Sequence, residues 1–166
     1  MRGVSSSAVA ITIRPYTSAD AVETLNLFIE AVTTSAATDY TSEQIDAWAR
    51  PDDRRSEDWD QARLRLDTFV AVVNGDLAGF SDVSTGGYVE MMFVSPHHSR
   101  QGVGHALMTF LENRARAAGA EQMSADVSLT ARPFFEAHGF GVQVEQHPVI
   151  AGVQLTNFHM TRSLNT

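Results

Sequence analysis

Between Glu90 and Gly119 the chain runs from a short apolar segment, Met91-Met92-Phe93-Val94, through a polar loop, Ser95-Pro96-His97-His98-Ser99-Arg100, to Gln101-Gly102-Val103-Gly104. A helix-period pattern follows. Val103, Ala106, Leu107, Phe110 and Leu111 recur at i, i+3, i+4, i+7 and i+8, the spacing of one apolar helix face. Gly119 stands where a glycine just past the last turn ends such a helix. Strand, glycine-rich turn and helix N-terminus constrain the fold more than any other stretch. The first turn of a helix leaves N–H groups unpaired at the positive end of its dipole. Glycines there remove the Cβ atoms that would hold an anion away. The N–H groups from Gln101 to Ala106 therefore read as a main-chain phosphate cradle.

Two nucleotide cradles do not fit. A P-loop needs a lysine after its last glycine, and His105 follows Gly104. A dinucleotide fingerprint needs a third glycine where Leu107 stands. The stretch resembles instead the acetyl-CoA motif of the GCN5-related N-acetyltransferases, Gln/Arg-x-x-Gly-x-Gly/Ala after a strand ending in Val-x-Pro. Val94-Ser95-Pro96 ends the strand, and Gly102 and Gly104 hold the glycine places. Ser99 departs from the pattern at the Gln/Arg place, where the adjacent Arg100 or Gln101 could contact phosphate. A second block of the family, Asn-x-x-Ala-x-x-Phe-Tyr-Glu-x-x-Gly-Phe, is matched by Ser128, Ala131, Phe134, Phe135, Glu136, Gly139 and Phe140. The two blocks and their surroundings cover roughly residues 68–145.

Composition sets the outer limits. The 166 residues suffice for one domain with a substantial core, and 43% hydrophobic content is ordinary for a globule. No apolar run approaches a membrane span. Residues 1–9 lack the apolar segment of a signal peptide and read as an unstructured leader. The absence of cysteine excludes disulfides, thiolate metal sites and a cysteine nucleophile, and fits a cytoplasmic protein. A net charge of −8 opposes general nucleic-acid binding.

Along the chain, Ile11 to Pro15 alternates as a strand. Thr17 with Asp20 caps a helix carrying Val22, Leu25, Phe28, Ile29 and Val32. Thr41 with Gln44 forms a capping box for a second helix. The charge-rich stretch from Arg50 to Arg65 reads as a solvated turn and a short helix around Trp59 to Leu66. Residues 68–73, 77–83 and 88–94 form an antiparallel meander, with Asn74-Gly75 as its first turn. A strand over 122–127, a helix over 131–138 and strands over 140–146 and 153–162 complete the chain. The resemblance implies an α+β fold, with a mostly antiparallel sheet of six to seven strands. Four to five helices flank it, and it splays between strands four and five.

The reaction so implied moves an acetyl group from acetyl-CoA to the primary amine of a small molecule or peptide. It needs a held cofactor, a base, and stabilisation of the developing oxyanion and leaving thiolate. The resemblance implies that main-chain groups of the Phe93-Val94 strand bind the pantetheine arm, and that the N–H of Val94 or Phe93 polarises the thioester. Ser128, Phe134 and Phe135 would line the opposite wall. His105 falls in the first turn, where it reads as a phosphate contact or as a plain solvated helix position. Strand alternation puts Glu90 on one face with Tyr88 and Met92, where it reads as a base or as a plain surface glutamate. The acid is a departure, because Phe135 stands where many members have tyrosine; either the thiolate leaves unassisted, with water as donor, or another group serves, with Tyr88, Tyr40 and Ser128 the candidates in that order. Tyr40 and Trp48 are candidates for an acceptor pocket or for packing of their helix. His97 and His98 point apart and read as loop residues, so no metal is expected. The family also makes a homodimer through the last strands an expectation. An acyl-CoA-binding domain without turnover is the competing reading.

Overall fold

The computed structural model describes residues 9–165, so the leader expected over residues 1–9 lies outside the described residues apart from Val9. Strand β1 (Ile11–Pro15) leads to α1 (Ala21–Ser35), whose entry is fixed by the Thr17–Asp20 capping box. Arg14 clamps the same carboxylate with two nitrogens, at 2.8 and 2.9 Å. Helix α2 (Ser42–Ala49) starts at the expected Thr41–Gln44 box. Helix α3 (Ser56–Arg65) begins three residues before Trp59; Glu57, Asp58 and Arg65 are exposed as expected, and Arg63 is the charged residue that departs from the solvated face. Trp59 and Arg63 are buried, and the Trp59 indole N–H donates to Thr24 Oγ1 at 2.9 Å.

The meander is present as β2 (Thr68–Val73), β3 (Asp76–Asp82) and β5 (Met92–Val94), all antiparallel, with β1 at the edge. The single strand expected over residues 88–94 is interrupted. Its first part, β4 (Tyr88–Val89), leaves the meander and pairs parallel with β6 (Gln122–Ser128). Its second part, β5, pairs among the described residues only with β3. The second sheet has the order β4-β6-β10-β7, with β7 spanning Gly141–Gln146 and β10 spanning Asn157–Ser163. With the broken strand counted once, the two sheets hold seven strands. The last expected strand is also interrupted. Val153 and Gln154 form β9, which pairs with β8 (Val149–Ile150) across a turn where Ala151 and Gly152 both have positive φ. Leu155 then turns into the core, where it is 4% exposed.

Helix α4 (Val103–Ala117) joins the two halves. Its predicted face holds, with Val103, Leu107 and Leu111 at 1% exposure or less, and Met108 is buried beside them. Gly119 ends it at φ +87°, with the Ala120 N–H on the Ala115 carbonyl at 2.9 Å. Helix α5 (Arg132–Ala137) follows β6. No helix among the described residues is long and apolar enough to cross a membrane.

The β4–β6 pairing depends on Gly87. Its φ is +91°, and a Cβ added there would lie 2.0 Å from the Gln122 carbonyl oxygen, main-chain atoms that have no room to yield. At Gly86 the nearest atom to an added Cβ is Ser84 Oγ, 3.8 Å away. In urea denaturation Gly87→Ala should therefore lose about 2–4 kcal/mol of stability, and Gly86→Ala should stay within about 0.5 kcal/mol of the parent.

Candidate functional site

The interruption between β4 and β5 has a direct cause in β3. Asp82 is 1% exposed, and its carboxylate accepts the N–H of Glu90 at 2.8 Å and of Met91 at 3.1 Å. Ser81 Oγ donates to the Met91 carbonyl at 2.7 Å. Side chains thus occupy main-chain groups that would otherwise continue a ladder, and the strand bulges. Burial pushes the Asp82 carboxyl up to about 6, against the two N–H donors and the nearby Arg63, which favour its charged form.

Beyond the bulge, β5 has one free edge. The Ser95 N–H donates to the Ala78 carbonyl at 2.8 Å. Antiparallel alternation then turns the Phe93 N–H onto Phe80, its register partner, and leaves the main chain of Met92 and Val94 facing the gap toward β6. Of the expected Val94-or-Phe93 pair, the Phe93 N–H thus belongs to the sheet, while the main chain of Val94 faces the gap.

The gap opens at its far end onto the start of α4. Gly102 is the N-cap at φ +84° with no side-chain cap, and a Cβ added there would meet nothing within 4 Å. The N–H groups of Val103, Gly104 and His105 have no partner among the described residues. That of Ala106 bonds to the Gly102 carbonyl at 2.9 Å, so the expected cradle ends one residue earlier. Gly104 is small for another reason as well. A Cβ there would lie 2.9 Å from the Phe134 ring, which lets α5 close against α4.

A groove of about 400 Å³ runs along this edge, lined by Met92, Val94, Arg100, Gly102, Gly104 and Phe134, with Val103, His105 and Phe135 also on its walls. Gln101 and Ala106 do not line it. A second cavity of about 170 Å³ continues it on the Glu90 side and shares Met92, Ala131 and Phe135 with it. Glu90, Phe93, Ser128, Tyr40 and Trp48 lie on its walls. The structure thus brings nearly all the residues expected from sequence to one continuous cleft.

Tyr88 is the main exception. It is not on the cleft wall, and its hydroxyl donates to Asp126 Oδ2 at 3.1 Å. Burial, with Asp126 beside it, pushes the phenol up to about 12. Tyr40 is on the wall, but its hydroxyl donates to the Thr156 carbonyl at 2.7 Å and accepts the Leu129 N–H at 2.9 Å. Ser128 Oγ accepts the Ala131 N–H at 3.0 Å and keeps its own proton free to donate. Glu90 is exposed rather than partly buried, with Oε2 3.7 Å from Arg63 Nη2. No group of three or more potential metal ligands occurs among the described residues. Asp82 and Arg63 were not singled out by sequence. The one signal for Asp82 was a polar pair, Ser81-Asp82, closing an otherwise apolar strand.

Comparison with known proteins places the chain among acetyltransferases. Residues 36–162 match the family model described as an acetyltransferase (GNAT) domain. The chain is 35% identical over 151 residues to the uncharacterized N-acetyltransferase YafP of Escherichia coli K12, covering 90% of this chain and 94% of that protein. A crystal structure described as a GCN5-related N-acetyltransferase (aminotransferase, class II) from Rhodopseudomonas palustris superimposes with a TM-score of 0.88 at 30% identity, over 98% of this chain and 100% of that one. The PaiA N-acetyltransferase of Thermoplasma acidophilum, solved in complex with coenzyme A, shares the fold at a TM-score of 0.74 and 17% identity, over 93% and 99% of the two chains.

Asp82 gives the site a pH signature. Its carboxyl titrates near 3.8 when unfolded and near 6 when folded, so between those values the native state keeps a proton that the unfolded chain releases. Its contribution to stability is complete below the lower value and is lost as pH rises through the upper one. Asp82→Asn removes this titration and leaves one bulge N–H without an acceptor. The stability of the parent relative to the variant should fall by about 2–3 kcal/mol between about pH 4 and pH 7 in urea denaturation; a flat difference would show that no buried carboxyl titrates there.

Proposed function

The chain belongs to the GCN5-related N-acetyltransferase family, and on that premise we propose that it transfers an acetyl group from acetyl-CoA directly to a primary amine of a small molecule or peptide. The observation that carries the reading is the free edge of β5, which runs from unpaired N–H groups at the start of α4 to the Glu90 bulge. A phosphate-bearing thioester with a long amide arm fits such an edge. The open space before Gly102 admits the diphosphate, and an unpaired strand edge matches the arm's amides. When bound, acetyl-CoA supplies an activated carbonyl for the amine to attack.

The remaining steps fall to this chain's own residues. The N–H groups of Val103, Gly104 and His105 hold the diphosphate, with Arg100 beside them on the groove wall. The main chain of Val94 holds the arm. Met92 lies on both the groove and the smaller cavity, so its N–H is the donor placed to polarise the carbonyl where they meet. The smaller cavity takes the acceptor, with Tyr40 and Trp48 as its aromatic wall. Glu90 accepts the amine's proton, directly or through water. Ser128 donates toward the leaving sulfur in place of the tyrosine that Phe135 replaces, because the hydroxyls of Tyr88 and Tyr40 are tied to Asp126 and Thr156. One catalytic domain, a cytoplasmic location that supplies coenzyme A, and a homodimer through the exposed edge strand β7 belong to the same proposal.

Thiol release from acetyl-CoA against a panel of amines tests the reading. Glu90→Gln should lower kcat by about 10²-fold or more with coenzyme A affinity unchanged, while Tyr88→Phe should change kcat by less than about threefold. The phenylalanine at position 135 favours one competing reading, an acyl-CoA-binding domain without turnover. Tight coenzyme A binding with no thiol release for any amine would establish that reading instead.

A further inference from the structure

A third cavity, of about 240 Å³, lies on the other side of Met91 from the acceptor end of the cleft. Four arginines line it, Arg50, Arg54 and Arg55 from the α2–α3 connection and Arg63 from α3, against two acids, Asp53 and Asp58. In a chain of net charge −8 this is a concentration of the minority sign. Among the described residues neither acid forms an ion pair with these arginines; the carboxylates that do approach them are Glu57, 3.7 Å from Arg55, and Glu90, 3.7 Å from Arg63.

Arg63 is the unusual member. It is 2% exposed and its guanidinium lies over the Trp59 ring, 4.7 Å from the centroid. A guanidinium carries five N–H donors, and buried donors are nearly always bonded. Among the described residues Nε has no partner, Nη1 has only the Met91 sulfur at 2.9 Å, and Nη2 stands beyond hydrogen-bond distance of Glu90. Asp82 contributes field to Arg63 but no hydrogen bond, its oxygens accepting instead the Glu90 and Met91 N–H groups. Arg54 is held in place beside it. Its Nε and Nη2 donate to the Ala49 and Trp48 carbonyls at 2.7 and 2.9 Å, and the group lies over Phe28 at 4.7 Å. Burial is the largest influence on both guanidinium groups and lowers their pKa. A buried cation short of acceptors, next to a fork already fixed in position, is a receptor for an anionic oxygen group.

We propose that this cavity binds a carboxylate or phosphate carried by the acceptor, so that the enzyme prefers amines bearing such a group. The inference rests on the reading of the 170 Å³ cavity as the acceptor end. The two spaces are joined by shared residues: Met91 lines both, Glu90 reaches from one toward Arg63 of the other, and Phe28 and Trp48 back onto Arg54. An acceptor with its amine at Glu90 and its anionic group past Met91 would satisfy Arg63 only in the bound state.

Two measurements test it. In the first, kcat/KM is compared within amine pairs that differ in charge alone, an α-amino acid against its carboxamide and phosphoethanolamine against ethanolamine. The anionic member of one pair should be favoured about tenfold or more, and the pair concerned tells carboxylate from phosphate. Arg50→Gln combined with Arg55→Gln, both at exposed positions, should reduce that ratio several-fold. In the second, protein saturated with coenzyme A is titrated with acetate and with inorganic phosphate, and the arginine Nε–H and Trp59 Nε1–H signals are followed by NMR. One anion should shift the Arg63 Nε–H saturably in the parent, and the Trp59 shift should vanish in Arg63→Gln, with circular dichroism confirming its fold. A saturable shift with no amine turned over would support the anion site while overturning the acetyl-transfer reading. Absence of both the charge preference and any anion-dependent shift would overturn the site.

Discussion

Everything in the cleft depends on one buried carboxylate gripping two consecutive main-chain amides. Without an acceptor on Asp82, Glu90 and Met91 would be free to extend the parallel pairing of β4 with β6, and the free edge of β5 would close. The grip diverts the chain from one sheet to the other within two residues. Each half is then paired on one side only, β4 with β6 and β5 with β3. A carboxylate suits this task because it is acceptor-only, with an oxygen for each donor. The cost is a charge in the interior, which is why the Asp82 carboxyl is pushed up to about 6 and why a buried arginine stands near it.

Two close approaches set where the helix dipole meets that edge. At Gly79 a Cβ would lie 3.0 Å from both the Phe93 carbonyl oxygen and Val103 Cγ1, so α4 packs its first turn directly on β3 beside β5. At Gly104 the Phe134 ring occupies the space a side chain would need, so α5 packs on the same turn from the other side. The unpaired N–H groups are thereby held at the end of the splayed edge by packing alone. His138 continues the contact. Its Nδ1–H donates to the Phe134 carbonyl at 2.8 Å, which leaves Nε2 to accept from His105 Nδ1 at 3.1 Å and orients the His105 ring at the mouth of the groove.

Features with a local period or a local turn were legible in the sequence. The α4 face, the Gly119 stop, the Thr41–Gln44 box and the meander needed only neighbouring residues to be read. So did the glycines that open α4, although the reason for Gly104 involves Phe134, thirty residues on, and Phe134 and Phe135 were placed only by the resemblance to the family's second block. What escaped were charges doing interior work. A run of arginines and aspartates reads as solvent-facing, and nothing local marks Arg63 as the residue that rolls under Trp59. Asp82 escaped for the same reason, since its donors lie across a turn. Strand alternation placed Glu90 and Tyr88 on one face, but it presumed an unbroken strand. The bulge separates their roles, leaving Glu90 at the cleft and Tyr88 on Asp126.

The aromatic wall of the smaller cavity is built as part of the scaffold and not as a lid. Tyr40 bridges Thr156 and Leu129, tying the segment between α1 and α2 to the start of β10 and the end of β6 at once. Trp48 sits edge-on to Tyr40, with ring centroids 5.5 Å apart, and continues toward Phe93 at 6.3 Å, while Phe28 meets Phe93 edge-on at 5.0 Å. A chain of rings therefore runs from the wall of the smaller cavity into β5, whose unpaired edge faces the groove. Rings packed this way hold their neighbours in single rotamers, so displacing one requires moving the strand itself. A wall so fixed presents one shape and one arrangement of charge, so the cavity it bounds is preformed and does not wait on the closure of a loop.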